Sequence, residues 1–545
     1  MIFHLSSAIQ YFYEEAGLFF KLAISILFFY LLLPKPSYKT KVKVPTIKFV
    51  SPWLPEILSR LLFNSYAPSV IYDGYAKYKA SGYKILKADG DLVVLSTKYV
   101  EELRQLPAST LNALEATFSA SFRVQDHVGE YTTILTDSHL HTETIQKRLT
   151  PAIGEKKIAR YFYFLISSNH ILIHWLLIGR LIPRITSELD YAFKVEFPDC
   201  EDRFVAINSY EVFLRLVARV GARIFVGDEL CRDEKWIEAS IDYTKNIFLT
   251  IGLMRPLPGF LHPIVGRILP SSRRLNEQLS HITNKLLGPL IAKRRKMEAA
   301  SSHHYEKPDD FLQWMMDLAK TEKESQPSNL AHRLLGLTSM AVVHTSAMSM
   351  THILYDLLVM PQWKEPLLEE VLTQLPEWGD IAQANLNNLR LMDSFLKESQ
   401  RFNPPGELAF HRVVKDNLTL SDGLFLPKGT HICMASGPVS RDPDVVKDPE
   451  TFDAFRYTKQ NAQTSGFVST GSQHMHFGLG RYACPGRFFA SFVMKLILSR
   501  LLMDYEFKFA PGQTERPKNL LIGDKIVPNV STAIFIKRRT PVMRG

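Results

Sequence analysis

Cysteine is scarce in this chain. Its 545 residues include only Cys200, Cys231, Cys433 and Cys484, and no two of them are spaced as a CxxC pair. Structural zinc, iron–sulfur clusters and covalently attached c-type haem therefore lack the ligand spacing that each requires. Four cysteines are also too few for a disulfide scaffold. We expect at most one of them to take part in chemistry.

A strong charge imbalance is missing as well. The formal net charge of +10 is small for this length, and 46% of the residues are hydrophobic against 22% charged. That composition is typical of a globular protein. Because no run of basic residues interleaved with aromatic residues occurs, we expect no binding of nucleic acid.

One long apolar run lies near the amino terminus. Residues 18–33 read LFFKLAISILFFYLLL, with Lys21 as the single charge. Together with the preceding aromatic residues the run reaches the length of a membrane span. A cleaved signal peptide is the alternative, but Glu14 and Glu15 stand where basic residues would be expected. Lysines follow the run and none precedes it, so the positive-inside rule predicts an uncleaved anchor with the remaining chain in the cytosol.

The pattern divides the chain into three regions: an anchor at 1–33, a linker containing proline and lysine at 34–50, and one domain at 51–545. Within the domain, apolar residues mostly recur at helical spacing. Alternating, strand-like patterns occur in Gly82–Ser96 and Leu418–Ala435, around Asp-Gly turns. The predicted fold class is mainly α with minor antiparallel β, that is, α+β.

One predicted helix is unusually long. The segment Asn329–Met360 contains no proline, and we expect Asn329 to cap its amino end. A second transmembrane helix is the alternative, but His344, His352 and Asp356 interrupt the apolar run. We therefore expect a buried helix that crosses the domain.

The segment Phe477–Gly486 reads FGLGRYACPG. Its cysteine, Cys484, follows a glycine-rich turn and precedes an amphipathic helix. Backbone N–H groups at the start of that helix would converge on the sulfur and favour the thiolate, which is the form that holds a metal. The other three cysteines are interpreted as small buried hydrophobic residues.

This segment resembles the haem-ligand signature FxxGxRxCxG of the cytochrome P450 monooxygenases. The resemblance implies that region 51–545 is a P450 catalytic domain that binds haem b, with Cys484 as the thiolate ligand of the iron. It also implies that Phe477 packs beside the sulfur, and that Gly480 and Gly486 allow the backbone to approach the macrocycle.

The segment departs from the signature at one position. The family's basic residue two positions before the cysteine is Tyr482 here. The contact with a haem propionate would then have to come from Tyr482 itself or from the neighbouring Arg481. Arg412, in PPGELAFHR, is a further residue that the resemblance directs to a propionate.

A second family element, ExxR, occurs three times in the chain. Two of the matches, Glu101/Arg104 and Glu229/Arg232, are expected to be solvated surface pairs. The third, Glu398/Arg401, is followed by NPPG and lies at a family-like distance before the cysteine. With Arg456 in DPETFDAFRY, it would form a buried network that holds the cysteine loop.

On the long helix, AVVHTS (341–346) resembles the oxygen-activation motif AGx(D/E)T(T/S). The resemblance assigns proton delivery to Thr345 and to His344, which replaces the family's acid. A helical threonine often only bonds back to the carbonyl four residues earlier, here Ala341, and His344 could equally be a packing residue. Val342 takes a usually small position and is expected to narrow the space above the iron.

The function implied is insertion of one oxygen atom from O2 into a lipophilic small molecule. The carboxyl-terminal half is most similar to fungal secondary-metabolism members that oxidise terpenoids, of the gibberellin and indole-diterpene type. Alternatives are a haem-thiolate desaturase or rearrangement catalyst, and a haem-binding protein without turnover. Apolar candidates for the substrate pocket are Val342, Val343, Met348, Leu408 and Phe410.

No flavin or nicotinamide domain is recognisable in the sequence. The resemblance therefore implies that electrons come from a separate NADPH–cytochrome P450 reductase. Arg481, Arg487 and Lys495, close to the cysteine in sequence, are candidates for its docking. The expected location is the endoplasmic reticulum membrane, with a single span and the catalytic domain in the cytosol.

Overall fold

The computed structural model describes residues 41–48, 56–87, 90–116, 137–153, 179–254, 257, 261–300, 305–459 and 466–540. The predicted anchor and most of the predicted linker lie outside these residues. Within the described ranges, no helix is long and apolar enough to cross a bilayer.

Helices form most of the described chain. The α-helices are Glu56–Tyr78, Val100–Leu103, Leu140–Thr144, Thr150–Ile153, Ile182–Glu196, Ser209–Phe225, Glu234–Met254, His262–Ile268, Pro270–His281, Gly288–Ala299, Phe311–Leu318, Glu322–Ser325, Pro327–Gly336, His344–Val359, Lys364–Gln374, Gln383–Asn388, Arg390–Phe402, Ser436–Ser440 and Arg487–Asp504. Three π-helical segments continue them, at Ile145–Leu149, Ile282–Leu287 and Leu337–Val343. Short 3₁₀ turns occur at Thr97–Tyr99, Pro361–Trp363, Trp378–Asp380 and Gly480–Tyr482.

Strands form two main sheets and two hairpins. The strands are β1 Thr46–Ile47, β2 Tyr83–Lys87, β3 Gly90–Leu95, β4 Leu111–Asn112, β5 Val205–Asn208, β6 Ala409–Val414, β7 Leu418–Thr419, β8 Phe425–Leu426, β9 His431–Met434, β10 Tyr505–Phe509, β11 Leu520–Ile522, β12 Lys525–Val527 and β13 Ala533–Arg538. The sheet orders are β1-β2-β3-β9-β6-β4 and β10-β13-β5, and the hairpins are β7-β8 and β11-β12.

The predicted fold class agrees with this architecture in its helical majority and minor sheet. Both predicted strand regions contain strands, with β2 and β3 antiparallel and Tyr83 opposite Val94. The expectation of purely antiparallel pairing was wrong, because β1 pairs with β2 and β3 with β9 in parallel. Pairing between segments so distant in the chain cannot be inferred from an alternating pattern.

The predicted long helix is present as three consecutive parts, Pro327–Gly336, Leu337–Val343 and His344–Val359, which we call the central helix. Asn329 is not its amino-terminal cap. The helix begins at Pro327, a residue well suited to the first helical position, and the buried Asn329 side chain accepts a hydrogen bond from Arg333 Nε at 2.7 Å.

The main core surrounds the central helix. Val343, Ala347 and Met350 have no exposed surface and belong to a core that also includes the helices Ser209–Phe225 and Arg487–Asp504. This burial holds the central helix and the start of the last long helix, which follows Cys484, in one rigid body.

Candidate functional site

The loop before Cys484 is shaped by two glycines. Gly478 and Gly480 have φ angles of 73° and 67°, in the left-handed region that other residues rarely adopt. A Cβ at Gly480 would lie 3.1 Å from the carbonyl oxygen of Arg104. The loop closes on itself through a hydrogen bond from Cys484 N–H to the carbonyl of Phe477 at 2.6 Å. Phe477, half-buried, packs edge-on against Phe467.

Cys484 differs from the other three cysteines, which are buried. Its side chain is exposed, yet burial raises the pKa of its thiol, against the lowering effect of the backbone N–H groups of Gly486 and Arg487. A sulfur that is accessible while protein surrounds it faces an internal space. The expected N–H groups are present and lower the pKa of the thiol, but in the absence of a metal ion they do not outweigh the effect of burial. A bound metal ion would itself deprotonate the thiol.

The two flanking glycines have different surroundings. A Cβ added at Gly486 would meet no atom within 4 Å, whereas Gly480 packs on Arg104. The open space beside Gly486 accords with its expected place near a macrocycle. At Gly480, glycine is favoured by the left-handed backbone angle and by the close approach of Arg104.

A second accessible stretch lies in the middle of the central helix. Ala341 and Thr345 are exposed, although Val343, His344 and Ser346 between and beside them are buried. Thr345 Oγ1 donates a hydrogen bond to the carbonyl oxygen of Ala341 at 2.6 Å. Exposed positions four residues apart on a core helix show that this face borders a space within the domain.

His344 points elsewhere. Its ring is buried, with Nδ1 2.9 Å from the Tyr210 hydroxyl and Nε2 2.7 Å from the carbonyl oxygen of Ile241. Burial lowers its pKa, which favours the neutral imidazole. Since both ring nitrogens are occupied by residues of other helices, the geometry favours the packing alternative over proton delivery.

Arg412 is a buried cation. Its guanidinium carbon lies 4.1 Å from the centre of the Phe410 ring and 4.6 Å from that of Tyr482. Burial lowers its pKa to about 10. Among the described residues it has no carboxylate partner, and its one hydrogen bond runs from Nη1 to the carbonyl of His411 at 2.7 Å. A buried guanidinium without an anion is unusual and is suited to an acidic ligand.

The third ExxR pair forms the network that the resemblance implies. Arg401 makes two hydrogen bonds to the Glu398 carboxylate, at 2.8 and 2.9 Å, and Arg456 Nε contacts the same carboxylate at 3.1 Å. Glu398 and Arg401 are almost fully buried. Arg401 also donates to the carbonyls of Ser440 and Pro449. The structure thus brings Glu398, Arg401 and Arg456 together.

The other two ExxR matches behave differently from each other. Glu101 and Arg104 pair at 2.7 Å near the surface, as expected. The expected Glu229/Arg232 pair is absent, because Arg232 binds Glu188 at 3.2 Å and Glu229 binds Lys293 at 2.6 Å.

The three basic residues predicted to bind the reductase differ in their exposure. Arg481 is exposed, and Arg487 is half-buried with Nη1 donating to the carbonyl of Cys484. Lys495 is buried and pairs with Asp393 at 2.8 Å. It is therefore part of the core and cannot contact a partner.

Most of the apolar pocket candidates do not face an accessible space. Val343, Leu408 and Phe410 are buried in the core. Val342 is half-buried, and its Cγ1 would lie 3.7 Å from a Cβ added at Gly221 of the helix Ser209–Phe225; the narrowing above the iron stays a prediction. Met348 keeps partial exposure.

Sequence reasoning missed two features of this region. Phe410 has a φ of 57°, and no local signal marks a phenylalanine for left-handed backbone. Tyr210, the partner of His344, begins a helix far away in sequence. Neither contact has a short-range pattern that could have disclosed it.

These residues fit haem. Cys484 offers an accessible sulfur to the iron, and Arg412 offers an unpaired buried cation to a carboxylate. Haem, when bound through a thiolate, supplies the activation of O2. The polypeptide supplies the enclosed space, the position of the sulfur and the hydroxyl of Thr345.

Comparison with known proteins identifies the family of this chain. The sequence model described as Cytochrome P450 matches residues 191–530. Cytochrome P450 monooxygenase janP of Penicillium janthinellum is 74% identical, covering 99% of both chains. PaxP of Penicillium paxilli is 68% identical over 98% of both chains, and AtmP of Aspergillus flavus is 59% identical over 97% of this chain and 96% of its own; both carry the same description. The chain therefore belongs to the cytochrome P450 family and is a haem-thiolate monooxygenase.

Proposed function

We propose that this monooxygenase inserts oxygen into a lipophilic, terpenoid-type secondary metabolite. In this proposal it receives electrons from a membrane-bound NADPH–cytochrome P450 reductase. The segment 1–33 attaches it to the endoplasmic reticulum, with the catalytic domain in the cytosol. The observation that carries the catalytic part is the accessible sulfur of Cys484 in the protein interior.

The accessible face of the central helix supports a lipophilic substrate. Ala341, Val342, Thr345, Met348 and Ser349 all keep exposed or half-buried surface. None of these side chains is ionisable, so the face can contact apolar surface without leaving a charge unpaired. The hydroxyl groups of Thr345 and Ser349 donate to carbonyls of the same helix, and their oxygens can still accept a hydrogen bond from a polar substituent.

Exposed basic residues beside the cysteine loop support docking of an acidic reductase surface. Arg481 lies within the loop, and Arg148 is exposed just before the helix Thr150–Ile153. That helix contacts the loop through Thr150 Oγ1, which lies 3.5 Å from the carbonyl oxygen of Pro485. Complementary charge would accelerate encounter with the reductase.

The test uses the full chain expressed in microsomes with an NADPH–cytochrome P450 reductase. The reduced protein with carbon monoxide should show the red-shifted Soret band of thiolate-bound haem. Cys484→Ser should lose this band, whereas Cys200→Ser, at a buried cysteine away from the loop, should keep it. A haem-loaded wild type without the band would refute the proposal.

Substrate class is tested with a panel of diterpenes and indole diterpenes, with fatty acids as the comparison set. The expected result is NADPH-dependent formation of a product heavier by one oxygen atom from a terpenoid. A product that only loses two hydrogen atoms would instead support the desaturase alternative. Turnover of fatty acids alone would refute the terpenoid assignment.

A further inference from the structure

The Arg412 guanidinium contacts two aromatic rings that come from different segments. Phe410 belongs to β6, and Tyr482 belongs to the cysteine loop; their ring centres lie 4.1 and 4.6 Å from the guanidinium carbon. Among the described residues, Arg412 makes one hydrogen bond, to the carbonyl of His411. Aromatic faces attract a cation without occupying its N–H groups. The remaining N–H groups are therefore available to a ligand.

The backbone of β6 is distorted where this arrangement forms. Phe410 has a φ of 57°, and the register of β6 against β9 shifts between Ala409 and Arg412. A bulge of this kind redirects side chains. A phenylalanine with left-handed backbone is strained and persists only where its surroundings require it. Here the distorted stretch places the Phe410 ring against Arg412.

The second ring is positioned by the same loop that carries the thiolate. Tyr482 precedes Cys484 by two residues, at the position where the family signature has a basic residue. The left-handed Gly478 lets the loop turn closely, since a Cβ there would lie 3.0 Å from the carbonyl oxygen of Tyr482. The loop thus fixes the sulfur and the Tyr482 ring together.

We propose that Phe410 and Tyr482 form an aromatic clamp that positions Arg412 to bind a haem propionate. In this chain, Tyr482 replaces the missing basic residue by holding a cation in place rather than by supplying one. Phe410 and Tyr482 are positioning residues, since they act through Arg412. The inference rests on the haem site described above and is independent of the substrate.

Haem release provides the test. Ferric protein is mixed with an excess of apomyoglobin, and transfer of haem is followed by absorbance. Tyr482→Leu should release haem about tenfold faster, the effect expected of a buried cation–aromatic contact. Tyr482→Phe keeps the ring and should remain within about twofold of wild type. The carbon monoxide spectrum of each reduced variant, recorded first, shows that thiolate ligation is intact.

Two further experiments distinguish an effect that acts through Arg412 from a general loosening of the cysteine loop. In an Arg412→Leu background, Tyr482→Leu should cause no additional acceleration, because the cation that it holds is gone. With the dimethyl ester of iron protoporphyrin IX, which lacks free carboxylates, wild type and Tyr482→Leu should release the macrocycle at the same rate. Equal acceleration by Tyr482→Leu with and without Arg412 would overturn the proposal.

Phe410→Leu tests the other side of the clamp if Tyr482→Leu fails to fold, since Phe410 lies outside the cysteine loop. It should also accelerate haem release, and only when Arg412 is present. A wild-type release rate in Phe410→Leu, or acceleration that persists without Arg412, would contradict the clamp.

Discussion

At the scale of single residues, Glu407 is a carboxyl group whose protonation should affect stability. Its side chain is buried, and Tyr72 OH donates a hydrogen bond to its Oε2 at 3.3 Å. Burial raises the pKa of Glu407 from 4.5 to about 7, against the lowering effect of Arg441. The site is tight, because a Cβ at Gly437 would overlap the carboxylate.

We predict that Glu407→Gln removes a pH-dependent loss of stability. The folded pKa lies above the unfolded value, so the stabilisation is present below pH 4.5 and is lost as the pH rises through about 7. A change of pKa from 4.5 to about 7 corresponds to about 3 kcal/mol as an upper bound. Thermal unfolding of both proteins, followed by circular dichroism across this range, measures the difference.

The expected outcome is that Glu407→Gln gains stability relative to wild type as the pH rises. Tyr72→Phe is the matched control, since it removes the hydrogen-bond partner and keeps the carboxyl group. Parallel stability curves for wild type and Glu407→Gln from pH 4.5 to 8 would show that Glu407 is ionised throughout.

At the scale of secondary-structure elements, His344 connects three helices. It lies on the central helix and contacts Tyr210 of Ser209–Phe225 and the Ile241 carbonyl of Glu234–Met254. The helix Glu234–Met254 is held a second time where Ser339 Oγ accepts a hydrogen bond from Thr244 N–H at 3.0 Å. These polar contacts fix how neighbouring helices pack on the central helix near Thr345.

We predict that His344→Gln leaves the pH dependence of turnover between pH 6.5 and 8 unchanged. Burial lowers the pKa of His344 below 6.5, so the neutral ring predominates across this range. Loss of its contacts should lower the free energy of unfolding by roughly 1–3 kcal/mol. Steady-state rates against pH, with denaturant unfolding, measure both. If a limb of the wild-type pH–rate profile disappears in His344→Gln, the result would contradict this prediction and indicate that His344 delivers protons.

His344 should also make the stability of the folded protein depend on pH. The unfolded chain protonates this histidine near pH 6.5, whereas the folded chain keeps it neutral to a lower pH. Stability conferred by His344 should therefore fall as the pH is lowered below 6.5. His344→Gln should show a smaller loss in that range than wild type does.

The Glu398 network joins the helix Arg390–Phe402 to the segment that carries Arg456. We predict that Glu398→Ala costs about 3–5 kcal/mol, because it leaves two guanidinium groups without their carboxylate in the protein interior. The expected result is a large loss of haem-loaded protein. Glu101→Ala, in the exposed pair with Arg104, is the matched control and should change stability by less than about 1 kcal/mol.

Yield of the carbon monoxide complex and thermal unfolding compare the two variants. Similar small effects for Glu398→Ala and Glu101→Ala would show that the buried network does not support the cysteine loop.

At the scale of the whole molecule, the sequence predicts on which side of the membrane the catalytic domain lies. Two glycosylation sequons, at Asn417 and Asn529, lie in the domain. Asn417 is exposed, so a glycosyltransferase could reach it on the lumenal side of the membrane. Because the positive-inside rule places the domain in the cytosol, we predict that both asparagines stay unmodified in microsomes.

Endoglycosidase treatment and a gel shift measure this outcome. A sequon in an added amino-terminal extension is the positive control, since the predicted topology places that end in the lumen. A glycan on Asn417 would reverse the orientation and the expected location of the domain.

The motifs that carry chemistry were readable from the sequence because they are local. Cys484 and its glycines lie within ten residues, and the ExxR pair lies within one helical turn. The sequence could not distinguish the three ExxR pairs by their spacing alone; position in the chain indicated Glu398, and burial shows why it differs.

The sequence by itself indicated the helical fold class through its apolar periodicity, and it indicated the family and Cys484 as the candidate thiolate ligand through the resemblance of one short motif. Only the tertiary structure decided which charges are buried and what faces them. Arg412 meets Tyr482 and His344 meets Tyr210 across long stretches of chain. Such partners depend on the packing of distant elements, and burial, which sets the pKa values here, is a property of that packing.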